Sequence, residues 1–179
     1  MQNQVFKQIT KILFVLVGIS IIIAGIFLSK SSSIAGVKEG QKFEDWTVSC
    51  SKDAKEKRVC SLVQSLSTVD KDNKTTTVAA YQMGFYGETK ELKIIEILPL
   101  GINVSAGTSL ISSGQLLIPG KFTTCSTVSC NAVGAISQVN LDALLASQEN
   151  TIAFINIKGE QINLPFSANG LKEGLKAIK

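Results

Sequence analysis

Histidine is absent from the 179-residue sequence, and its absence excludes several classes of enzyme. Histidine is the commonest general base and the commonest nitrogen ligand for zinc and copper. Serine hydrolases with a Ser-His-Asp triad, cysteine proteases with a Cys-His pair and two-histidine metalloproteases are therefore excluded. Carboxylate or lysine chemistry remains open, but the sequence has no motif for it. We predict a protein without enzymatic activity, metal or cofactor.

The sequence also has little net charge once its first 35 residues are set aside. The whole chain has 18 basic and 14 acidic residues, but three of the lysines precede residue 36, which leaves 15 against 14. A nearly neutral domain lacks the basic stripe that neutralises phosphates, so we predict no nucleic-acid binding. The one dense run of charge, KDAKEKR at Lys52 to Arg58, mixes both signs and is typical of a solvated loop.

One long apolar run stands near the start of the chain. Ile12 to Leu28 is a stretch of 17 residues without a charge, preceded by Lys7 and Lys11. As a helix it would span roughly 26 Å, near the lower limit for crossing a bilayer core. The flanking lysines keep the N-terminus in the cytoplasm and place everything downstream outside the membrane. Either a signal peptide cleaved after Ala35 or an uncleaved membrane anchor is consistent with this segment.

The rest of the chain predicts one exported domain. Residues 1–35 form the signal peptide or anchor, 36–42 a linker and 43–179 a β-sandwich. Seven short strand-like runs and the turn residues between them favour an antiparallel sandwich. The runs are Phe43 to Cys50, Arg58 to Ser67, Thr75 to Phe85, Glu91 to Leu98, Thr108 to Ile118, Thr151 to Lys158 and Gln161 to Phe166.

Local signals add turns and helices to this sandwich. Ser113-Gly114 and Lys158-Gly159-Glu160 separate apolar runs and predict two hairpins. Pro165 predicts an edge strand or a strand end. A short helix is expected at Leu141 to Gln148, capped by Asn140. A second is expected at the C-terminus, where Leu171, Leu175 and Ile178 recur at helical spacing.

Four cysteines lie in the exported part, where an oxidising compartment favours disulfides. Four cysteines allow three pairings, and the spacing favours Cys50 with Cys60 and Cys125 with Cys130, because each of these pairs flanks a polar loop. Cys50 shares the inward parity of Trp46 and Val48. A redox-active C-x-x-C motif is absent, and a zinc site usually needs closer pairs.

The order of these motifs resembles the invasion-associated locus B family. The resemblance runs from about Gly40 to Ile178. It rests on W-x-V-x-C at Trp46 followed by Cys60, LPLGI at Leu98, F-x-x-C at Phe122 followed by C-x-A at Cys130, and LP at Leu164 with S-x-x-G at Ser167. The chain departs from the family pattern at Ser129 and Leu171. The resemblance implies an immunoglobulin-like β-sandwich, exported by alphaproteobacteria, associated with the cell envelope and, in some pathogens, with host-cell entry. It implies no catalytic residue.

The leading functional hypothesis is an envelope protein that binds a partner and possesses no catalytic site. Its partner would be an envelope or host protein, and the membrane itself if the N-terminal helix is retained. Three loops are candidate contact regions because loops on a rigid sandwich carry binding sites. They are Ser51 to Arg58, Asp70 to Lys74 and Gly84 to Glu91. The alternative is a periplasmic assembly or chaperone-like factor that pairs a client strand with a sheet edge.

Overall fold

The computed structural model describes residues 36–53, 55–69 and 71–179. Val37–Lys179 forms one compact unit. The apolar segment Ile12 to Leu28 and the candidate cleavage site at Ala35 lie outside the described residues. Within those residues, no helix has both the length and the apolar character needed to cross a membrane.

The compact unit is built almost entirely of antiparallel strands, with two short helices, as the sequence predicts. The strands are β1 (Lys42–Phe43), β2 (Trp46–Lys52), β3 (Arg58–Val69), β4 (Thr75–Tyr86), β5 (Glu91–Leu98), β6 (Thr108–Ser112), β7 (Gln115–Cys125), β8 (Cys130–Ala135), β9 (Asn150–Ile155) and β10 (Gln161–Phe166). The helices are α1 (Gln138–Ala146) and α2 (Leu171–Ile178). A 3-10 turn covers Val104–Ala106.

The strands follow the order β1-β2-β3-β4-β5-β8-β7-β6-β9-β10. The first five form a meander, and β5 to β8 form a Greek-key unit, with β5 beside β8. β7 is shared between the two halves of the sheet, because its first part pairs with β6 and its last part with β8. The antiparallel pairing and the Greek-key unit match the β-sandwich-like fold that the sequence predicts.

Strand alternation explains why most of these elements were predictable. In β5 the even-numbered residues from Leu92 to Leu98 are buried, and the odd-numbered ones are not. The Ser113-Gly114 hairpin is confirmed, and both residues have positive φ angles. Pro165 lies in β10 at the end of the strand order, as predicted for an edge strand. The sequence did not predict β8, because CNAVGA consists mainly of small residues.

The end of β10 packs against β2 and β3 of the meander. Trp46 stacks edge-on against Phe166, with ring centroids 5.5 Å apart, and its indole N–H donates to the carbonyl oxygen of Ser167 at 3.0 Å. The Gln64 side chain accepts a hydrogen bond from the backbone N–H of Ser167 and donates one to its carbonyl oxygen. The buried amide of Gln64 therefore pairs with the backbone in the way that a neighbouring strand would.

The helices correct one detail of the sequence interpretation. α1 begins at Gln138 and its N-cap is Ser137, whose hydroxyl accepts from the backbone N–H of Asn140. The prediction of Asn140 as the cap is wrong, because the Asn140 side chain donates instead to the carbonyl oxygen of Leu117 on β7. The predicted apolar face of α2 is confirmed: Leu171 and Leu175 are buried.

Two disulfide bonds join Cys50 to Cys60 and Cys125 to Cys130, the pairs that the spacing favours. Cys50 lies directly opposite Cys60 on β2 and β3. Cys125 lies directly opposite Cys130 on β7 and β8. Each disulfide is therefore a cross-strand link next to a loop, and the described residues contain no free cysteine.

Candidate functional site: a basic groove at one end of the sheet

An open groove of about 790 Å³ lies at one end of the sheet, where β2 and β4 end and β3 begins, beside the C-terminus of α2. We call it the basic groove. Its walls come from the β2–β3 loop, the β4–β5 loop and the last residues of the chain. The lining residues are Ser51, Asp53, Lys55, Lys57, Arg58, Val59, Cys60, Phe85, Tyr86, Gly87, Glu88, Lys90, Ile178 and Lys179.

The groove unites two of the three predicted contact loops. Ser51 to Arg58 and Gly84 to Glu91 lie next to each other because Ser61 on β3 pairs with Gly84 on β4. The Lys55 ammonium contacts the Glu88 carboxylate across the two loops at 2.9 Å. Both of these side chains are exposed, so the ion pair contributes little stability. The third loop, Asp70 to Lys74, connects the other ends of β3 and β4 and does not line the groove.

Hydrogen bonds within the β2–β3 loop fix its backbone. The Asp53 carboxylate accepts hydrogen bonds from the backbone N–H groups of Lys55 and Lys57, at 2.8 and 2.9 Å. Glu56 has a positive φ of 60° and its side chain contacts Lys52 at 2.7 Å. The Asp53 carboxylate is thus occupied by the loop's own backbone, and the lysine side chains remain exposed.

The first disulfide forms part of the groove wall. Cys60 lines the groove, and the Arg58 guanidinium donates a hydrogen bond of 3.1 Å to Cys50 Sγ. A thiol or disulfide sulfur is a weak acceptor, and a guanidinium has five N–H donors. Arg58 is therefore positioned by the disulfide while most of its donors stay available to a ligand.

The side-chain charge of the groove is unbalanced. Five cationic side chains line it, those of Lys55, Lys57, Arg58, Lys90 and Lys179, against the carboxylates of Asp53 and Glu88. The net side-chain charge is therefore +3, whereas the whole of residues 36–179 sums to +1. Among the described residues, only Lys55 of these five cations has an ion pair.

A second polar group lies inside the core and is inaccessible to ligands. Glu96 on β5 is fully buried, and neither carboxylate oxygen has a hydrogen bond of good geometry to a described residue. Burial raises the pKa of Glu96 to about 7, and the nearby Thr108 hydroxyl offsets part of the rise. Glu96 pairs in register with Tyr81 on β4, and burial together with the Glu96 charge raises the pKa of Tyr81.

Neither the buried carboxyl of Glu96 nor the contribution of the chain's last residues to the groove was predicted from the sequence. Glu96 shares the parity of Leu92, Ile94 and Leu98, and this alternation is a signal that it points inward. The contribution of Ile178 and Lys179 to the groove depends on how α2 packs against β3, which has no local signature. The described residues contain no group of three or more acidic or cysteine side chains arranged to hold a metal ion.

The sequence profile described as "Invasion associated locus B (IalB) protein" matches residues 46–179. The chain belongs to the IalB family. The match covers about three-quarters of the chain and includes the strands from β2 onward, both disulfides and both helices. This confirms the family resemblance of the cysteine and tryptophan motifs. The IalB family is not a known enzyme family. Membership of this family and the two disulfides are consistent with an exported protein.

The crystal structure of invasion associated protein B from Bartonella henselae has a similar fold. It aligns with a TM-score of 0.64 over 77% of this chain and 92% of that chain, at 20% sequence identity. At this identity the likeness establishes the IalB fold alone. No curated protein matches the chain.

Proposed function

We propose that this IalB-family protein is an exported envelope protein without enzymatic activity, which binds a partner through the basic groove. The observation that carries the proposal is the meeting of two loops and the C-terminus of α2 at one disulfide-supported end of the sheet. A rigid scaffold that presents loops at one end is the usual arrangement of a binding domain.

The partner that we propose is an envelope or host protein, with a contribution to host-cell invasion. The family description supports the second part, and so does the name of the structurally similar Bartonella henselae protein, invasion associated protein B. The location that we propose is the periplasm or cell envelope. N-terminal sequencing of the protein from fractionated cells tests it: a start at Gly36 identifies a released protein, and retention of Ile12 to Leu28 identifies a membrane-anchored one.

The alternative is a periplasmic assembly or chaperone-like factor for envelope proteins. The observation that favours it is the position of β10 at the end of the strand order, with β9 as its only paired neighbour among the described strands. An extended client segment can pair with such an edge. Gln161 and Asn163 are exposed on this strand, whereas Pro165 removes one backbone donor.

Site-specific photocrosslinking in intact cells separates these functions. A photoreactive residue replaces Lys57 in the basic groove, Asn163 on β10, or Lys158 as an exposed control outside both surfaces. We expect capture of a defined partner from position 57 but not from position 158. Capture of several envelope proteins from position 163 alone would support the chaperone-like function and contradict the groove proposal.

A further inference from the structure

The chemistry of the basic groove points to a particular class of ligand. We propose that it binds a saccharide carrying several sulfate or phosphate ester groups. This inference rests on the proposed function, since it names the part of the partner that enters the same groove, an esterified glycan carried by the partner protein. It adds a chemical requirement for tetrahedral oxyanions that a general protein-binding surface would not have.

The cations of the groove favour oxyanions. Lys57, Arg58, Lys90 and Lys179 are exposed and have no ion pair in the described part of the chain. A guanidinium binds sulfate or phosphate oxygens through paired N–H donors, and lysine adds point charges around them. Arg58 is already oriented by its hydrogen bond to Cys50 Sγ. The groove therefore has one preoriented fork and three further cations for a ligand with several anionic groups.

The shape and apolar surface of the groove favour a saccharide over a membrane. Phe85 and Tyr86 line the groove but are half-buried, so their rings cannot insert into a bilayer. None of the large exposed hydrophobic residues of the described chain lines the groove. Phe85 and Tyr86 are consecutive in β4 and point to opposite faces of the sheet, so the exposed part of one ring provides a flat apolar surface for a single sugar ring.

The charge distribution limits the site to one part of the protein. The five cations and two carboxylates of the groove leave the remaining side chains of residues 36–179 with a net charge of −2. The positive groove therefore attracts a polyanion, whereas the rest of residues 36–179, with its small net negative charge, does not. The attraction falls with ionic strength, because the groove is open to solvent and a Debye length at physiological salt is about 8 Å.

Binding of defined saccharides to the purified protein tests this inference. The probes are a fully sulfated tetrasaccharide, its desulfated counterpart, a glucosamine disaccharide with two phosphate esters and an octaglutamate peptide. Each is measured by titration calorimetry at two salt concentrations. We expect salt-dependent binding of at least one esterified probe and no binding of the desulfated one. Comparison of the sulfated and phosphorylated probes identifies the ester that the groove prefers.

Matched variants locate the binding. K57Q/K90Q removes two groove cations, and K121Q/K158Q removes two exposed lysines that do not line the groove. We expect K57Q/K90Q to weaken binding about tenfold, since each of the two exposed cations contributes about threefold to the affinity. We expect K121Q/K158Q to change it less than twofold, and thermal unfolding checks that both variants remain folded.

Several results would overturn the inference. Equal affinity for the sulfated and desulfated probes, or equal loss of affinity in both double variants, would show that no oxyanion site exists in the groove. Equally tight binding of an octaglutamate peptide would replace the saccharide by an acidic protein segment. Partner capture from position 57 together with absence of saccharide binding would refute the ligand class while leaving the proposed function intact.

Discussion

At the scale of single residues, Glu96 has the most unusual environment in the described chain. It occupies a core position of β5, where its neighbours of the same parity are leucine and isoleucine. A carboxyl group without well-formed hydrogen bonds is more easily buried in its protonated, neutral form. The fold therefore takes up a proton at Glu96, and this proton is lost as the pH rises through about 7.

The pKa of Glu96 predicts a pH dependence of stability. The folded pKa of about 7 lies above the ordinary value of 4.5, so folding binds a proton between these two values. The free energy of unfolding therefore falls as the pH rises from about 4.5 to 7, by roughly 3 kcal/mol for this group. Chemical denaturation at pH 5 and 7.5 should show that E96Q lacks this fall.

E91Q is the matched control for E96Q, because Glu91 is an exposed carboxylate on the same strand. E91Q should keep the pH dependence of the wild type. Identical pH dependence in the wild type and E96Q would show that folding does not raise the pKa of Glu96.

The inward position of Glu96 was predictable from the sequence, but its raised pKa was not. The parity of β5 was available from ELKIIEIL alone, and it places Glu96 inside. The sequence of β5 does not show which side chains surround Glu96. Tyr81 and Thr108 lie next to it on other strands, and neither provides a positive charge. The change of pKa is thus a property of the assembled core.

At the scale of elements, Gly170 determines how α2 docks beside β1. Gly170 precedes the helix with a φ of 76°, in the left-handed region that favours glycine. A side-chain carbon added there would collide with the backbone carbonyl oxygen of Phe43. Gly159, in the β9–β10 loop, has a similar φ of 81° but open space around it.

These two glycines predict different costs for the same substitution. G159A should destabilise the protein by about 1 kcal/mol, the cost of left-handed backbone for alanine. G170A should cost about 3 kcal/mol, because it adds a collision with backbone that the neighbouring strand cannot relieve easily. Urea denaturation of both variants measures the difference, and equal losses would show that α2 can shift away from Phe43.

The two disulfides predict a second contrast between elements. In the chain-entropy model, C50A/C60A should lower the free energy of unfolding by about 3 kcal/mol and C125A/C130A by about 2 kcal/mol. Only C50A/C60A should also weaken saccharide binding, because Arg58 is positioned by Cys50 and Cys60 lines the groove. Denaturation and calorimetry measure both effects. Equal loss of binding in the two variants would contradict a local role for the first disulfide.

Elements with strong alternation were predicted well, and elements defined by their partners were not. β3, β4 and β5 alternate between apolar and polar residues over most of their length, with Gln64 and Glu96 as the polar exceptions on the inward face of β3 and β5, so their bounds follow closely from the sequence. β8 contains Gly134 and small residues, and its strand conformation depends on pairing with β5 and β7. The cap of α1 was misplaced because Ser137 and Asn140 are both good N-cap residues, and tertiary contact with β7 engages Asn140.

At the scale of the whole molecule, a nearly neutral domain carries a locally positive surface. The sequence showed the balance of 15 basic and 14 acidic residues, and it indicated a solvated loop from Lys52 to Arg58 that was also a candidate contact region. In the fold, Lys52 and Glu56 pair with each other, Asp53 binds backbone, and Lys57 and Arg58 remain for the groove. Lys90 and Lys179 then join them from distant parts of the chain.

The central claim is that the basic groove carries the biological function. A strain lacking the gene is complemented with the wild type, with K57Q/K90Q or with K121Q/K158Q, and its entry into host cells is counted. We predict that the wild type and K121Q/K158Q restore entry and that K57Q/K90Q, at equal protein level, does not. Equal restoration by all three proteins would contradict the claim.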